Sequence, residues 1–199
     1  MEAALMTRAA RIERVTHETK VVVEVDLDGT GMADIATGIG MFDHLLSAFA
    51  HHSLIDLTIS TDGDLEVDDH HTVEDTMLVL GSAFDEALGD RAGITRYGDA
   101  TIPMDEALAT VAIDYGGRPY AVIDAVFRAE RIGELSTQMI DHALEAFSRT
   151  ARATINISAS GRNDHHVAES MFKALARATR SAIELDPRRV GIPSTKGTL

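Results

Sequence analysis

Histidines and carboxylates cluster twice along this chain of 199 residues. The first cluster runs DHLLSAFAHH at 43–52 and DDHHTVED at 68–75; the second runs DHALEAF at 141–147 and NDHHVAES at 163–170. His44 and His142 stand 98 residues apart, and the same offset carries Phe42, Leu45, Leu46 and Phe49 onto Ile140, Ala143, Leu144 and Phe147. The pairs His70/His165, His71/His166 and Glu74/Glu169 stand 95 apart, so the second copy is three residues shorter where TDGDLEVDD becomes ASGRND. Loops absorb such deletions more readily than helices or strands do. Imidazole and carboxylate are metal donors, and a repeat of this length predicts two copies of one unit related by a pseudo-twofold axis.

The spacing inside each cluster suits chelation from one helical face. His71 and Glu74 are three residues apart and His70 and Glu74 four apart, so either imidazole can share an ion with the carboxylate. Adjacent histidines point about 100° apart on a helix of 3.6 residues per turn, so a His-His pair serves two ions more naturally than one. With one ion per pseudo-symmetric site, the expected sets are His44, His71, Glu74 and His165, and His142, His166, Glu169 and His70. A lone His-His pair is more often a surface feature, but here eight of the nine histidines fall in the quoted motifs, and six of them pair off across the repeat. Asp43, Asp69, Asp141 and Asp164 each precede a histidine, as expected either of carboxylates that orient the rings or of helix N-caps.

The elements that must position these residues follow from periodicity. RAARIERVT and ETKVVVEVDLDG read as strands around a break at His17, and LDGTG marks a turn. A short helix is predicted over about 38–52, and SLIDLTIS is a half-buried strand with Ile55, Leu57 and Ile59 on one face. Val73, Met77, Leu80, Phe84 and Leu88 form the stripe of a second helix that stops near Gly89 and Gly93. In the second half, 108–115 and 120–127 read as strands, about 134–149 as a helix and 153–157 as a strand. Val167, Met171, Leu175, Ala178 and Ala182 then stripe a long helix. The class is α+β, with duplicated half-domains, each a sheet covered by two helices. The expected halves are 1–93 and 94–199, within one compact domain.

Composition narrows the function. Hydrophobic residues make up 45% of the chain, no apolar run of membrane-spanning length occurs, and MEAALMTRAAR lacks the pattern of a signal peptide; a soluble cytoplasmic protein is the expectation. With no cysteine, a metal must be held by imidazole and carboxylate, which favours manganese, iron or zinc. The net charge of −14 and the lack of clustered cations argue against nucleic acid as a partner. Only three lysines occur, Lys20, Lys173 and Lys196, against fifteen arginines.

The motifs DHLL, DDHHTVEDT, GITRYGDATIPMDEAL, GRPY, DHALEAF, NDHHVAE, FKALARA and GIPSTKGTL, in this order, resemble the imidazoleglycerol-phosphate dehydratase family from about Arg11 to Leu199. The resemblance implies a fold similar to the second domain of ribosomal protein S5 and two Mn(II) ions per active site. It also implies an assembly of 24 subunits with active sites between neighbours, and dehydration of imidazole glycerol phosphate to imidazole acetol phosphate in histidine biosynthesis. The proton to be removed has no carbonyl beside it, so a base alone would face a very weak acid. Two ions bound to the substrate ring as an imidazolate concentrate negative charge there and push out the hydroxyl on the adjoining carbon. A carboxylate can then remove the side-chain proton, leaving an enol that tautomerises to the ketone.

By motif match, Glu18 in THETKV is the expected acid/base residue, and Glu74 and Glu169 are ligands that could also move protons. His52 corresponds to a substrate contact; read from the chain alone, it is a helix-terminal histidine facing the dipole. Arg96, Arg118, Lys173, Ser194 and Lys196 match phosphate-binding positions, where the planar fork of arginine and the point charge of lysine suit a dianion. PSTKG lacks the spacing of a nucleotide phosphate loop, and the resemblance makes 191–199 an ordered segment that closes over substrate. The stretch from Gly117 to Asp141 supplies no assigned ligand. The same donors would also serve a dimetal hydrolase, a carboxylate-bridged redox protein or a metal-storage assembly. The joint match of Glu18, Arg96, Arg118 and Lys196 favours the dehydratase.

Overall fold

Burial alternates residue by residue along the second strand of each half, turning one face inward. Val21, Val23 and Val25 are buried on one strand, and Ala109, Val111 and Ile113 on its counterpart. A computed structural model describes residues 8–199. The first seven residues, within the stretch read as lacking a signal peptide, lie outside the described residues.

The first half runs β1 (Ala9–Val15), β2 (Thr19–Asp26), β3 (Ala33–Ala36), α1 (Gly40–Ser53), β4 (Asp56–Gly63) and α2 (His70–Leu88). The second half repeats the order with β5 (Tyr97–Met104), β6 (Ala107–Asp114), β7 (Tyr120–Ala125), a small hairpin of β8 (Arg131–Ile132) and β9 (Leu135–Ser136), α3 (Gln138–Ala151), β10 (Thr154–Ser160) and α4 (Asp164–Ile183). The two main sheets have the orders β1-β2-β4-β3 and β5-β6-β10-β7, so the strands correspond one to one. In each half a parallel pair, β3 with β4 or β7 with β10, encloses the short helix as a crossover. The duplicated α+β architecture is therefore as expected, with two sheets packed against helices.

Three details differ from the sequence expectation. β5 went unpredicted because YGDATIPM contains Gly98, Asp99 and Pro103, and the strand is tolerated there because it lies at a sheet edge. The four-residue β3 is too short to show a period. α3 begins at Gln138 rather than near 134 because Leu135 and Ser136 are used in pairing with Arg131 and Ile132.

The helices cross between halves: α1 packs on α4, and α2 packs on α3. Phe49, Phe84 and Phe147 meet at the centre, with Phe84 edge-on to Phe147 at 5.2 Å. The outer faces of the sheets leave Tyr97, Leu108, Tyr120 and Val122 exposed. The repeat persists in the backbone: α1 ends at Leu54 and α3 at Arg152, both non-glycine residues in the left-handed conformation (φ 60° and 52°).

The α2–α3 contact depends on Gly81. A Cβ there would lie 2.7 Å from the Phe147 carbonyl oxygen and 2.8 Å from the Ala151 nitrogen, backbone atoms that no rotamer change can move. Gly81→Ala should gain about 1 kcal/mol in helix propensity. It should lose more to the clash, for a net destabilisation of about 1–3 kcal/mol, read as a lower denaturant midpoint with an unchanged slope.

Candidate metal centre and phosphate cavity

The helix crossings bring each short-helix histidine onto the long helix of the other half. His44 on α1 reaches α4, where its Nε2 and that of His165 both lie 3.1 Å from Glu169 Oε2. His142 on α3 reaches α2, where its Nε2 lies 3.3 Å from Glu74 Oε1 and His70 Nε2 lies 3.7 Å from Glu74 Oε2. In each triad the ligand atoms lie within 4.8 Å of one another. The grouping expected from sequence is corrected here: His44 joins Glu169 rather than Glu74, and His142 joins Glu74 rather than Glu169. Crossing, not sequence neighbourhood, decides the partner.

His71 and His166 stand outside both triads. Their rings are nearly perpendicular to those of His70 and His165, at 79° and 84°, as expected for adjacent helical residues. His71 Nδ1 faces both oxygens of Asp64 at 3.1 and 3.0 Å, and its Nε2 lies 3.8 Å from Glu18. His166 Nδ1 faces Glu106 at 3.0 Å. Sequence reading missed Asp64 and Glu106: Glu106 is separated from His166 by 60 residues, and no spacing rule links the two. It also missed Arg149, whose Nη1 lies 3.8 Å from Glu74.

The aspartates that precede the histidines tie loops rather than rings. Asp43 accepts from the Thr37 backbone and hydroxyl, Asp69 from the Ser136 backbone and hydroxyl, and Asp164 from the backbone of Arg128 and Ala129. Neighbouring side chains on a helix diverge, which is why these carboxylates turn away. They give the unassigned stretch after Gly117 a position, since it is tied to the N-terminal ends of both long helices. Asp141 Oδ1 is buried without a partner, and burial together with the nearby Glu145 raises its pKa.

The triads fit a divalent cation on three grounds. Their donors are imidazole and carboxylate, their ligand atoms converge, and His142 Nε2 is buried with no hydrogen-bond partner. Glu169 is held ionised. Burial alone would raise its pKa, but hydrogen bonds and charge from Lys173, 2.7 Å away, and from His44 outweigh it and bring the value down to about 2. For His71 the hydrogen bond to Asp64 outweighs desolvation and raises the pKa. His52, in the last turn of α1, is lowered by burial, then by the charges of Lys173, His51 and Arg177.

A separate cavity of ≈ 390 Å³ is lined by Arg96, Arg118, Ser194 and Lys196 with Tyr97 and Thr195. Lys173 is not among its lining residues and pairs with Glu169, so one chain does not bring all five expected phosphate residues together. Arg96 is partly engaged: Nε and Nη2 donate to Asp114 at 2.6 and 2.9 Å, and Nη1 donates to the Pro193 carbonyl at 2.9 Å. That contact anchors the C-terminal segment beside the cavity. Arg118 is exposed, 3.9 Å from Asp114.

Two imidazole–carboxylate triads and a separate basic cavity, on a duplicated α+β frame, define an enzyme-like site that parts cation donors from an anion-sized hollow. The sequence profile described as imidazoleglycerol-phosphate dehydratase matches residues 37–179. The imidazoleglycerol-phosphate dehydratase of Thermobifida fusca is 56% identical over 197 residues, covering 98% of this chain and all of that protein. That of Methanosarcina mazei is 52% identical over 192 residues, covering 96% of this chain and all of its own length. Among solved structures, the Staphylococcus aureus dehydratase superposes with a TM-score of 0.81 at 34% identity, covering 89% of this chain and 99% of its own. The Pyrococcus furiosus enzyme, solved in complex with (S)-C348, gives 0.82 at 35%, covering 94% of this chain and all of its own. The chain belongs to the imidazoleglycerol-phosphate dehydratase family of hydro-lyases.

Because the folded-state pKa of Glu169 lies below its ordinary value of 4.5, the stability it confers is present above 4.5 and is lost as pH falls toward about 2. Glu169→Gln should therefore lower the melting temperature of metal-free protein at pH 6, with the gap to wild type narrowing below about pH 4.5. A gap that is constant with pH would contradict this.

Proposed function

We propose that this chain removes water from imidazole glycerol phosphate to give imidazole acetol phosphate, a step of histidine biosynthesis, with two Mn(II) ions per active site. The observation that carries the reading is the pair of triads, each built from both halves, in a chain 56% identical to a dehydratase over 98% of its length. Bound at these donors, the ions would supply Lewis acidity that favours an electron-rich substrate ring, whose electrons would then expel the neighbouring hydroxyl.

The remaining work falls to side chains. Glu18 is 55% exposed on the β1–β2 turn and free to reach a substrate. It takes the proton from the carbon next to the departing hydroxyl, and the resulting enol tautomerises to the ketone. Lys173 keeps Glu169 ionised and so fit to act as a donor. His52, its pKa lowered first by burial and then by Lys173, lies at the end of α1 as a substrate contact. Arg118, Ser194 and Lys196 grip the phosphate, and Arg96 shapes that cavity through Asp114 and Pro193.

The active form in this reading is a homo-oligomer of 24 subunits in the cytoplasm, with sites between neighbours. The support in the chain is that the Nε2 atoms of His71 and His166 belong to neither triad of their own subunit. Among the described residues, no helix is long and apolar enough to cross a membrane.

Metal-stripped protein should be inactive on imidazole glycerol phosphate and should regain formation of the keto product when manganese is restored; no product with two ions bound per chain would sink the reading. Lys196→Ala should raise the KM at least about tenfold, consistent with loss of one charge-assisted phosphate contact, while metal content stays at the wild-type value. Unaltered kinetics would remove Lys196 from the phosphate site.

A further inference from the structure

The two histidines outside the triads are held by carboxylates that the repeat does not relate. Glu18 and Glu106 are equivalent: each lies on a hairpin turn immediately before the second strand of its sheet, β2 or β6. Asp64, immediately after β4, has Arg162 at its equivalent place in the second half, since Gly63 and Gly161 are related by the 98-residue offset. In the first half the turn glutamate, Glu18, faces Nε2 of His71 at 3.8 Å while Asp64 serves Nδ1. In the second half, where Asp64 has no counterpart, the turn glutamate itself serves Nδ1 of His166 at 3.0 Å. The same ring nitrogen is served from two unrelated places, so the arrangement is not a leftover of duplication.

We propose that Asp64 and Glu106 are positioning residues that fix His71 and His166 as the Nδ1–H tautomer, leaving each Nε2 as an acceptor available to a metal ion. A carboxylate only accepts hydrogen bonds, so a ring nitrogen at hydrogen-bond distance from one must carry the proton; Glu18, 3.8 Å from Nε2 of His71, is too far to impose this on Nε2. The other nitrogen then offers its lone pair, which is how a second carboxylate sets the tautomer of a metal-bound histidine. The two halves have thereby diverged: Glu18 remains free for proton transfer, whereas Glu106 is committed. Its Oε1 accepts from the backbone of Arg162 and Asn163 at 3.0 and 2.7 Å, and only Oε2 faces His166.

That division of labour sets up an unusual substitution. Glu106→Gln has one oxygen, which two backbone donors retain, so its amide nitrogen must face Nδ1 and donate to it. The ring is then driven to the Nε2–H tautomer, which cannot ligate through Nε2. At Asp64 both oxygens face the ring, so Asp64→Asn can turn its own oxygen to Nδ1 and keep the native tautomer. Glu106→Ala removes the backbone acceptor but imposes no tautomer.

The inference rests on the proposed metal reading, and the test separates the two. Manganese is titrated calorimetrically into the full-length apo protein, wild type and each variant, with apo melting temperatures measured alongside. Glu106→Gln should lose affinity about 10–100-fold for one of the two ions per chain, and Asp64→Asn should stay within about threefold of wild type, as its acceptor is kept. Glu106→Ala should be the least stable of the three but should bind that ion better than Glu106→Gln does. Wild-type affinity for both ions in Glu106→Gln overturns the positioning role alone. Affinities that simply follow melting temperature also overturn it, since a structural role would produce that order. Wild-type protein that binds no manganese overturns the metal reading and this inference together.

Discussion

The packing of a short helix from one half on the long helix of the other is the contact on which the candidate site depends. A His-x-x-x-Glu pair on one helix presents two donors on a single face, too few to enclose an ion. The third comes only because α1 crosses α4 and α3 crosses α2, which carries His44 to Glu169 and His142 to Glu74. The apolar residues at those crossings, among them Phe49, Phe84 and Phe147, therefore set the distances between imidazole and carboxylate. Gly81 does the same from the backbone side, since a larger residue would separate α2 from α3.

Charge is distributed to suit this scaffold. Each triad carboxylate has a basic neighbour, Lys173 for Glu169 and Arg149 for Glu74, and these keep negative charge tolerable at a half-buried surface. The basic cavity at Arg118 and Lys196 is built instead from the second sheet and the C-terminal segment, which Arg96 fastens through the Pro193 carbonyl. In a chain of net charge −14 the separation matters, because a phosphate dianion meets local cations rather than the overall field.

Much of this was legible in the sequence because side-chain periodicity and duplication are local signals. The candidate donor residues, the long helices and the strand found at Ala107–Asp114 all announce themselves through spacing. The sorting of donors into triads does not, because sequence cannot say which short helix faces which long one; the expected sets mixed Glu74 with His44 for that reason. Asp64 and Glu106 were invisible on similar grounds, being ordinary acidic loop residues until folding sets them against His71 and His166. The aspartates before each histidine misled because adjacency in sequence suggests contact, whereas successive helical residues diverge. β5 escaped because Pro103 and Gly98 obscure a strand whose edge position permits them.

The crossed helices also bear on dilution. A chain of half this length could complete a triad only by meeting a second copy, so its donors would come apart whenever protein became scarce. Joining the halves covalently makes that meeting intramolecular, at an effective concentration on the order of millimolar for a short connection. The connection here, from Gly89 to Arg96, is itself pinned to the C-terminal region, Arg96 N donating to the Ala182 carbonyl at 2.7 Å and Gly93 N to the Gly191 carbonyl at 2.9 Å. Each triad is thus assembled within a single subunit, whatever the abundance of the protein around it.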